Sequence, residues 1–388
     1  MNLKQNSNSI VKLIVLCALV YACSNGDDGK VIDTEAPVIV CPNAISIAIS
    51  ATDANPNIEY NTPLVSDNVG ATLTQTEGLP SGETFPVGTT TNTFVAVDDA
   101  GNTTTCSFDV VVTRNSPTND APYFIGENPT PAGKKWVMLT ELSDEFNDNI
   151  FDDAKWENTN PNRWIGRPPG IFKTNTVTEA EGNLRLTPYL LDTPEVVNGN
   201  TFTHAGSNIY SRMPAQVGTY FETRMKANKT FMSSTFWVIN NSGQETGCDR
   251  RTTELDIIEC IGYVNTSANF ARNFDQSMHS NTHSRNAACP ETVLGSRGNN
   301  TPTDVKVWED YNVYAAWWKS ATEIDFFLNG KKVYTINPVA NFNLNMYLRL
   351  VVETYTWNPA PADGGMTGTE AERTTYYDWV RCWVLVDN

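Results

Sequence analysis

Short apolar runs with a two-residue period, separated by turn signals, recur from residue 34 onward, and no stretch keeps a long helical period. TYFETRMKA, STFWVIN, VYAAWW and EIDFFLNGKKVYTI are examples, rich in the β-branched and aromatic residues that suit a pleated, half-buried surface. The last contains Asn329-Gly330, the strongest two-residue hairpin signal. No glycine loop of the phosphate-cradling kind interrupts these runs. Such a chain must pack sheet on sheet, so the expected fold class is all-β. At 388 residues it exceeds one ordinary domain and suits a leader plus two domains.

A formal net charge of -17 argues against nucleic acid and anionic membrane as partners, since both need a basic face. The first 22 residues read as an address. Lys4 and Lys12 precede the apolar run LIVLCALVYA, which is too short to span a bilayer, and Ala22-Cys23 and the polar SNGDDG follow. This resembles a bacterial lipoprotein signal, which implies acylation of Cys23, a tether over residues 23–33 and a secreted or outer-membrane-attached protein. Membrane contact is then expected only through that lipid, with the protein acting as a monomer. The compartment is oxidising, so disulfides are permitted.

Residues 34–114 have their own strand-and-turn rhythm: DTEAPVIVCP opens it, SDN and DDAGN supply turns, and TCSFDVVV closes it. The unit resembles a hyalin repeat, a small immunoglobulin-like β-sandwich. Cys41 and Cys106 fall on its first and last strands, and a bridge would close a loop of about 65 residues, worth roughly 4 kcal/mol in the chain-entropy limit. Its acids sit in turns, so a spacer or adhesion role is expected. RNSPTNDAP then reads as a polar linker, placed at 115–121, and residues 122–388 hold the chemistry.

Within that region ELDIIEC, residues 254–260, looks like a buried strand yet carries Glu254, Asp256 and Glu259. Strand alternation puts Glu254 and Asp256 on one face and Glu259 on the other. A one-residue bulge after Asp256 would return Glu259 to the first face. Three carboxylates would then line one wall. A close pair of acids is the apparatus of a retaining glycosidase: one attacks the anomeric carbon and the other donates and then accepts the proton. The middle acid would hold a proton between them and separate their pKa values.

ELDIIE has the E-x-D-x-x-E form of glycoside hydrolase family 16, and SDEFN, WIGRPPGIF, RMKANKTFMSSTFW, MHSNTH, VVETYTWNPAPADGG and TTYYDWVRCW resemble its β-agarase and β-porphyranase branch. The resemblance implies a β-jelly-roll sandwich, a retaining endo-enzyme on red-algal galactans, Glu254 as nucleophile, Glu259 as acid/base, Asp256 as assisting acid, and no cofactor for catalysis. Trp164, Trp237 and Trp357 are expected as sugar platforms. In LRLVVETYTW, alternation aligns Arg349, Glu353 and Trp357, and the matching family segment makes Glu353 a substrate-contacting acid. His279 and His283 share a face with Asn281 and are expected to hydrogen-bond sugar hydroxyls; a zinc reading of the pair lacks a third ligand nearby in sequence. A structural Ca²⁺ is expected on Glu145, the Gly182 carbonyl and Asp378.

A sulfated galactan needs arginines concentrated locally, because a guanidinium grips sulfate through two donors. Arg163 and Arg167 flank the WIG turn, and Arg250 and Arg251 precede the acids. Arg167 favours porphyran, with unsulfated agarose as the alternative and a non-catalytic glycan-binding adhesin or a transglycosylase as further ones. Cys248 and Cys289 lie in loop-like stretches and are expected to pair, leaving Cys260 and Cys382 as buried thiols.

Overall fold

The computed structural model of the chain describes residues 33–49, 55–114, 118–158, 164–241 and 243–388. The expected signal peptide, Cys23 and Arg163 lie outside the described residues. No helix among the described residues is long and apolar enough to cross a membrane.

The N-terminal module has six short strands: β1 (Val38–Val40), β2 (Ile45–Ile49), β3 (Leu64–Ser66), β4 (Ala71–Glu77), β5 (Gly88–Asp98) and β6 (Thr103–Arg114). β1 pairs antiparallel with β3, while β4, β5 and β6 lie side by side in a second sheet. Alternation along β5 and β6 buries Phe94, Ala96, Phe108 and Val110. The Tyr60 ring meets Phe108 edge-on at 5.0 Å. Cys41 and Cys106 are bonded. In the DDAGN turn, the Asp98 carboxylate accepts from both the backbone and the side-chain nitrogen of Asn102.

The larger unit is built on two sheets. One contains, in spatial order, β10 (Val177–Ala180), β11 (Asn183–Leu186), β23 (Thr375–Asp387), β14 (Tyr220–Lys226), β19 (Asn312–Ser320), β20 (Glu323–Leu328) and β21 (Lys331–Ile336), with β7 (Lys134–Met138) paired to β23. The other runs β12 (Tyr189–Val197), β13 (Asn200–Ser211), β22 (Tyr347–Val352), β15 (Ser233–Ile239), β16 (Thr252–Ile261), β17 (Ser277–Arg285) and β18 (Gly295–Pro302). Two short strands, β8 (Trp156–Glu157) and β9 (Gly170–Phe172), add to it at β13. Asn329 and Gly330, both at positive φ, make the tight β20–β21 turn.

The inner faces meet in one apolar core. Phe221, Tyr314, Trp318, Phe326 and Tyr377 come from the first sheet, and Ile209, Phe236, Leu255, Ile258 and Leu350 from the second. The outer face of the first sheet is apolar too, with Tyr220, Trp317, Phe327 and Trp383 covered by Phe124 and Trp136. That cover is pinned by a buried acid: Glu222 accepts from the Tyr123 backbone N–H at 3.0 Å and the Trp383 indole at 2.8 Å. Burial pushes the Glu222 carboxyl up to about 7. The architecture is a β-sandwich, and its second sheet keeps its outer face for polar groups.

Cys248 and Cys289 are bonded, and Cys260 and Cys382 are buried free thiols. The Cys248–Cys289 bridge spans 41 residues and closes the loop after β15 onto the loop after β17. Replacing both cysteines by alanine is expected to lower the melting temperature, with about 4 kcal/mol as the chain-entropy limit. Calorimetry of the double variant checks this; an unchanged melting temperature would mean that the reduced loops are already ordered.

Candidate active site

The open face of the second sheet carries the acids, and the register of three strands places them. Ile239, Trp237 and Thr235 on β15 stand opposite Glu254, Asp256 and Glu259 on β16. On the other side, His283, Asn281 and His279 of β17 stand opposite the same three acids. The register slips by one residue between Asp256 and Glu259 on both sides. Ile257 and Ile258 both enter the core at this bulge. The Ser280 hydroxyl donates to the Ile257 carbonyl at 2.6 Å and receives the Tyr334 hydroxyl at 2.8 Å, so the irregular backbone is satisfied from the core side.

Glu254, Asp256 and Glu259 therefore line one cavity of about 610 Å³, together with Trp164, Arg167, Trp237, His283, Arg285, Arg349, Glu353, Tyr355 and Trp357. Each acid has a different partner. Arg285 donates to Glu254 Oε2 at 2.6 Å. The Tyr355 hydroxyl donates to Glu259 Oε1 at 2.6 Å. Asp256 is 4% exposed, and Asp256 Oδ2 faces His283 Nε2 at 3.3 Å. Burial, then Glu259 and Glu254 beside it, holds the Asp256 carboxyl well above the usual range. Burial also raises Glu259, which the Tyr355 hydrogen bond partly offsets. Glu353 is pushed up to about 8, mainly by burial, against the pull of Arg167 Nη2 at 3.5 Å. The arrangement can hold a proton on Asp256 while a guanidinium faces Glu254.

The three tryptophans take different stations. Trp164 meets Trp237 edge-on at 6.2 Å. Trp357 stacks on Tyr355 at 5.0 Å and contacts Phe270 and Phe274. Arg167 leaves a turn that requires Gly166: this residue has φ 114°, and a Cβ there would lie 2.4 Å from the Gly170 carbonyl oxygen. The Arg167 carbonyl accepts from the Gly170 N–H and the Thr354 hydroxyl, which aims the guanidinium toward Glu353 and the Tyr355 ring.

Two expectations are corrected. His279 shares the acids' face but does not line the cavity; its ring stacks on Phe274 at 3.8 Å, and burial pushes it down to about 4. Only His283 of the pair reaches the groove. Glu145, Gly182 and Asp378 do not form a calcium cage. Both Glu145 oxygens accept from Arg381 at 2.8 Å, and Asp378 accepts from Arg224 at 2.7 Å, so each carboxylate is committed to its own arginine. Arg251 is likewise turned away, bonded to Asp249 and Asn343. Other carboxylate groupings do exist: Glu254, Asp256 and His283 in the groove, and Asp33, Asp67 and Asp98 in the N-terminal module, bring ligand atoms within 4.8 Å of one another. In the groove, a cation would have to displace Arg285 from Glu254.

Arg285 and Tyr355 were not singled out in the sequence, although the signal was present. Alternation through MHSNTHSR runs on from His283 to Arg285, and Tyr355 lies midway between Glu353 and Trp357.

Comparison with known proteins agrees with this geometry. The family model of the β-porphyranase A–D GH16 domain matches residues 136–385, and that of the HYR domain matches residues 32–112. β-Porphyranase B of Zobellia galactanivorans is 46% identical over 282 residues, covering 72% of this chain and 95% of that protein. The crystal structure of porphyranase B from the same organism superposes with a TM-score of 0.67 at 48% identity, over 69% of this chain and all of that one. An extracellular agarase of Streptomyces coelicolor is 24% identical, over 66% of this chain and 88% of that protein. The chain belongs to the β-porphyranase A–D group of glycoside hydrolase family 16 and carries an N-terminal HYR domain.

Proposed function

We propose that the protein is a retaining endo-hydrolase of β-1,4-galactosidic bonds in red-algal galactans, with porphyran as its substrate. The observation that carries this reading is the convergence of Glu254, Asp256 and Glu259 on one face of β16 inside an aromatic-walled groove. A lectin needs aromatic walls but no such acids. The family relationship supports porphyran over agarose.

In the first step, Glu254 attacks the anomeric carbon while Glu259 gives its proton to the departing glycosidic oxygen; the carbon–oxygen bond to the leaving chain breaks as the ester to Glu254 forms. In the second, Glu259 takes a proton from water, water oxygen attacks the same carbon, and Glu254 leaves as carboxylate. Arg285 orients Glu254 through their ion pair at 2.6 Å. Protonated Asp256 adds no second negative charge beside it and can donate a hydrogen bond. Tyr355 fixes Glu259. Trp164, Trp237 and Trp357 offer flat faces to sugar rings, and Arg167, with Glu353 beneath it, reads a sulfate ester. We further propose a monomeric enzyme tethered at the cell surface through Cys23, with the HYR domain as spacer; the resemblance of the first 22 residues to a lipoprotein signal supports the tether.

Glu254→Gln and Glu259→Gln are each expected to lower hydrolysis on the order of 10⁴-fold or more while leaving the circular dichroism spectrum unchanged. Wild-type products followed by NMR should first appear in the β configuration; an inverted product would exclude the double displacement.

Tyr355→Phe removes the hydrogen bond that lowers Glu259, so its carboxyl should titrate higher than in the wild type. The alkaline limb of kcat/KM, which reports loss of the acid's proton, should move up in pH. A limb that stays in place or falls would detach Glu259 from that proton.

Arg167→Ala should lower the ratio of porphyran to agarose cleavage by about 10- to 150-fold, the value of one charge-assisted hydrogen-bonded contact. Salt should reduce the wild-type ratio in the same direction. Equal losses on both polymers would assign Arg167 to holding the turn rather than to sulfate.

A further inference from the structure

The aromatic platforms are unevenly placed about the acids. Trp237 stands on β15 opposite Asp256, and Trp164 meets it, so both lie on one side of β16. On the other side the floor is low and polar: His279, Asn281 and His283 of β17 stand in register with Asn300, Gly298 and Ser296 of β18. Trp357 borders that side, because Phe274 touches both its ring, at 5.0 Å, and that of His279. One face of Trp357 is stacked on Tyr355, with 17° between the planes. Beyond it stands Phe270, which meets Trp357 edge-on at 5.1 Å and is 60% exposed.

A lone exposed phenylalanine is ordinary on a protein surface. This one is held in place and continues the groove. It lies in the short helical turn Asn269–Ala271 of the loop between β16 and β17, with the buried Ala271 and Phe274 just after it. The Phe274 carbonyl accepts from the Ile261 N–H at 3.1 Å, which ties the loop to the end of the strand that carries the acids. Asn358, buried next to Trp357 in the chain, accepts from the Asn265 N–H at 2.6 Å and donates to the Tyr263 carbonyl at 3.1 Å. The loop and the Trp357 turn are thus fastened into one wall, and a ring fixed before binding loses little freedom when a ligand covers it. A pyranose offers such a ring a flat face of C–H groups while its hydroxyls stay in water.

We propose that Phe270 is a specificity-determining platform, stacking on a galactan residue that lies on the β17 side of the acids and outside the cavity where cleavage occurs, so that the protein selects long chains over short ones. The inference rests on the galactan-hydrolase reading and extends its reach on one side. Stacking needs no sulfate, so the platform serves porphyran and agarose chains alike.

The test uses the full-length Glu259→Gln protein, titrated calorimetrically with porphyran oligosaccharides of increasing length and, in parallel, with agarose oligosaccharides. Affinity of this parent should rise with length. Adding Phe270→Ala, at an exposed position where the fold is not at stake, should weaken the longest ligands by about 2- to 12-fold and leave the shortest bound ligand unchanged. Phe270→Trp, which keeps a ring at the position, should bind the long ligands as the parent does. Equal losses at every length, no loss at any length, or a Trp variant as weak as the Ala variant would overturn the platform and leave the galactan reading standing. A parent protein that binds neither polymer would overturn that reading and the platform with it.

Discussion

The bulge at Ile257 is the constraint on which the site depends. A regular β16 would present Glu254 and Asp256 to the groove and turn Glu259 into a core made of Phe236, Leu350 and their neighbours. Inserting one residue reverses that for everything after it. Two isoleucines in succession reach the core, and the long third acid returns to the open face. The Ile257 carbonyl at the irregular step accepts from Ser280 of the neighbouring strand, which in turn accepts from Tyr334 of the opposite sheet, so this pair of hydroxyls supports the placement of the acid/base.

Around those acids the groove solves an electrostatic problem with arginine and tyrosine. Four carboxyls in a partly dry cavity would repel one another strongly if all were charged. Arg285 faces the outermost, Tyr355 serves Glu259, Arg167 reaches Glu353, and burial leaves protons on Asp256 and Glu353. Each acid thus has its own environment, and it is this difference, rather than mere proximity, that lets similar groups take different roles.

The sandwich class, the hairpin at Asn329-Gly330, the three acids and both disulfides were legible because they rest on local periodicity, turn chemistry and short motifs. The strand pattern also held the station of Arg285, since β17 alternates through His279, Asn281, His283 and Arg285 in a single run. What it could not carry was the identity of neighbours distant in the chain. His279 leaves the groove because Phe274, from the preceding loop, covers it. Glu145 and Asp378 read as metal ligands until Arg381 and Arg224, 236 and 154 residues away from them, are seen to occupy them. Alternation assigns a side to a residue but says nothing of who meets it there.

The place of β23 has a consequence for how the chain is made. It is the last strand, yet it lies inside its sheet, between β11 and β14, and it also carries β7. During synthesis, the strands on either side of it emerge with no partner along those edges until residues 375–387 follow. Closure of this sheet therefore waits for residues 375–387, and it joins segments about 250 residues apart, as with β7 and β23. Until β23 is in place, the edges of β11 and β14 that it will cover stay unpaired, which makes them the strands most exposed to wrong pairing in the interval.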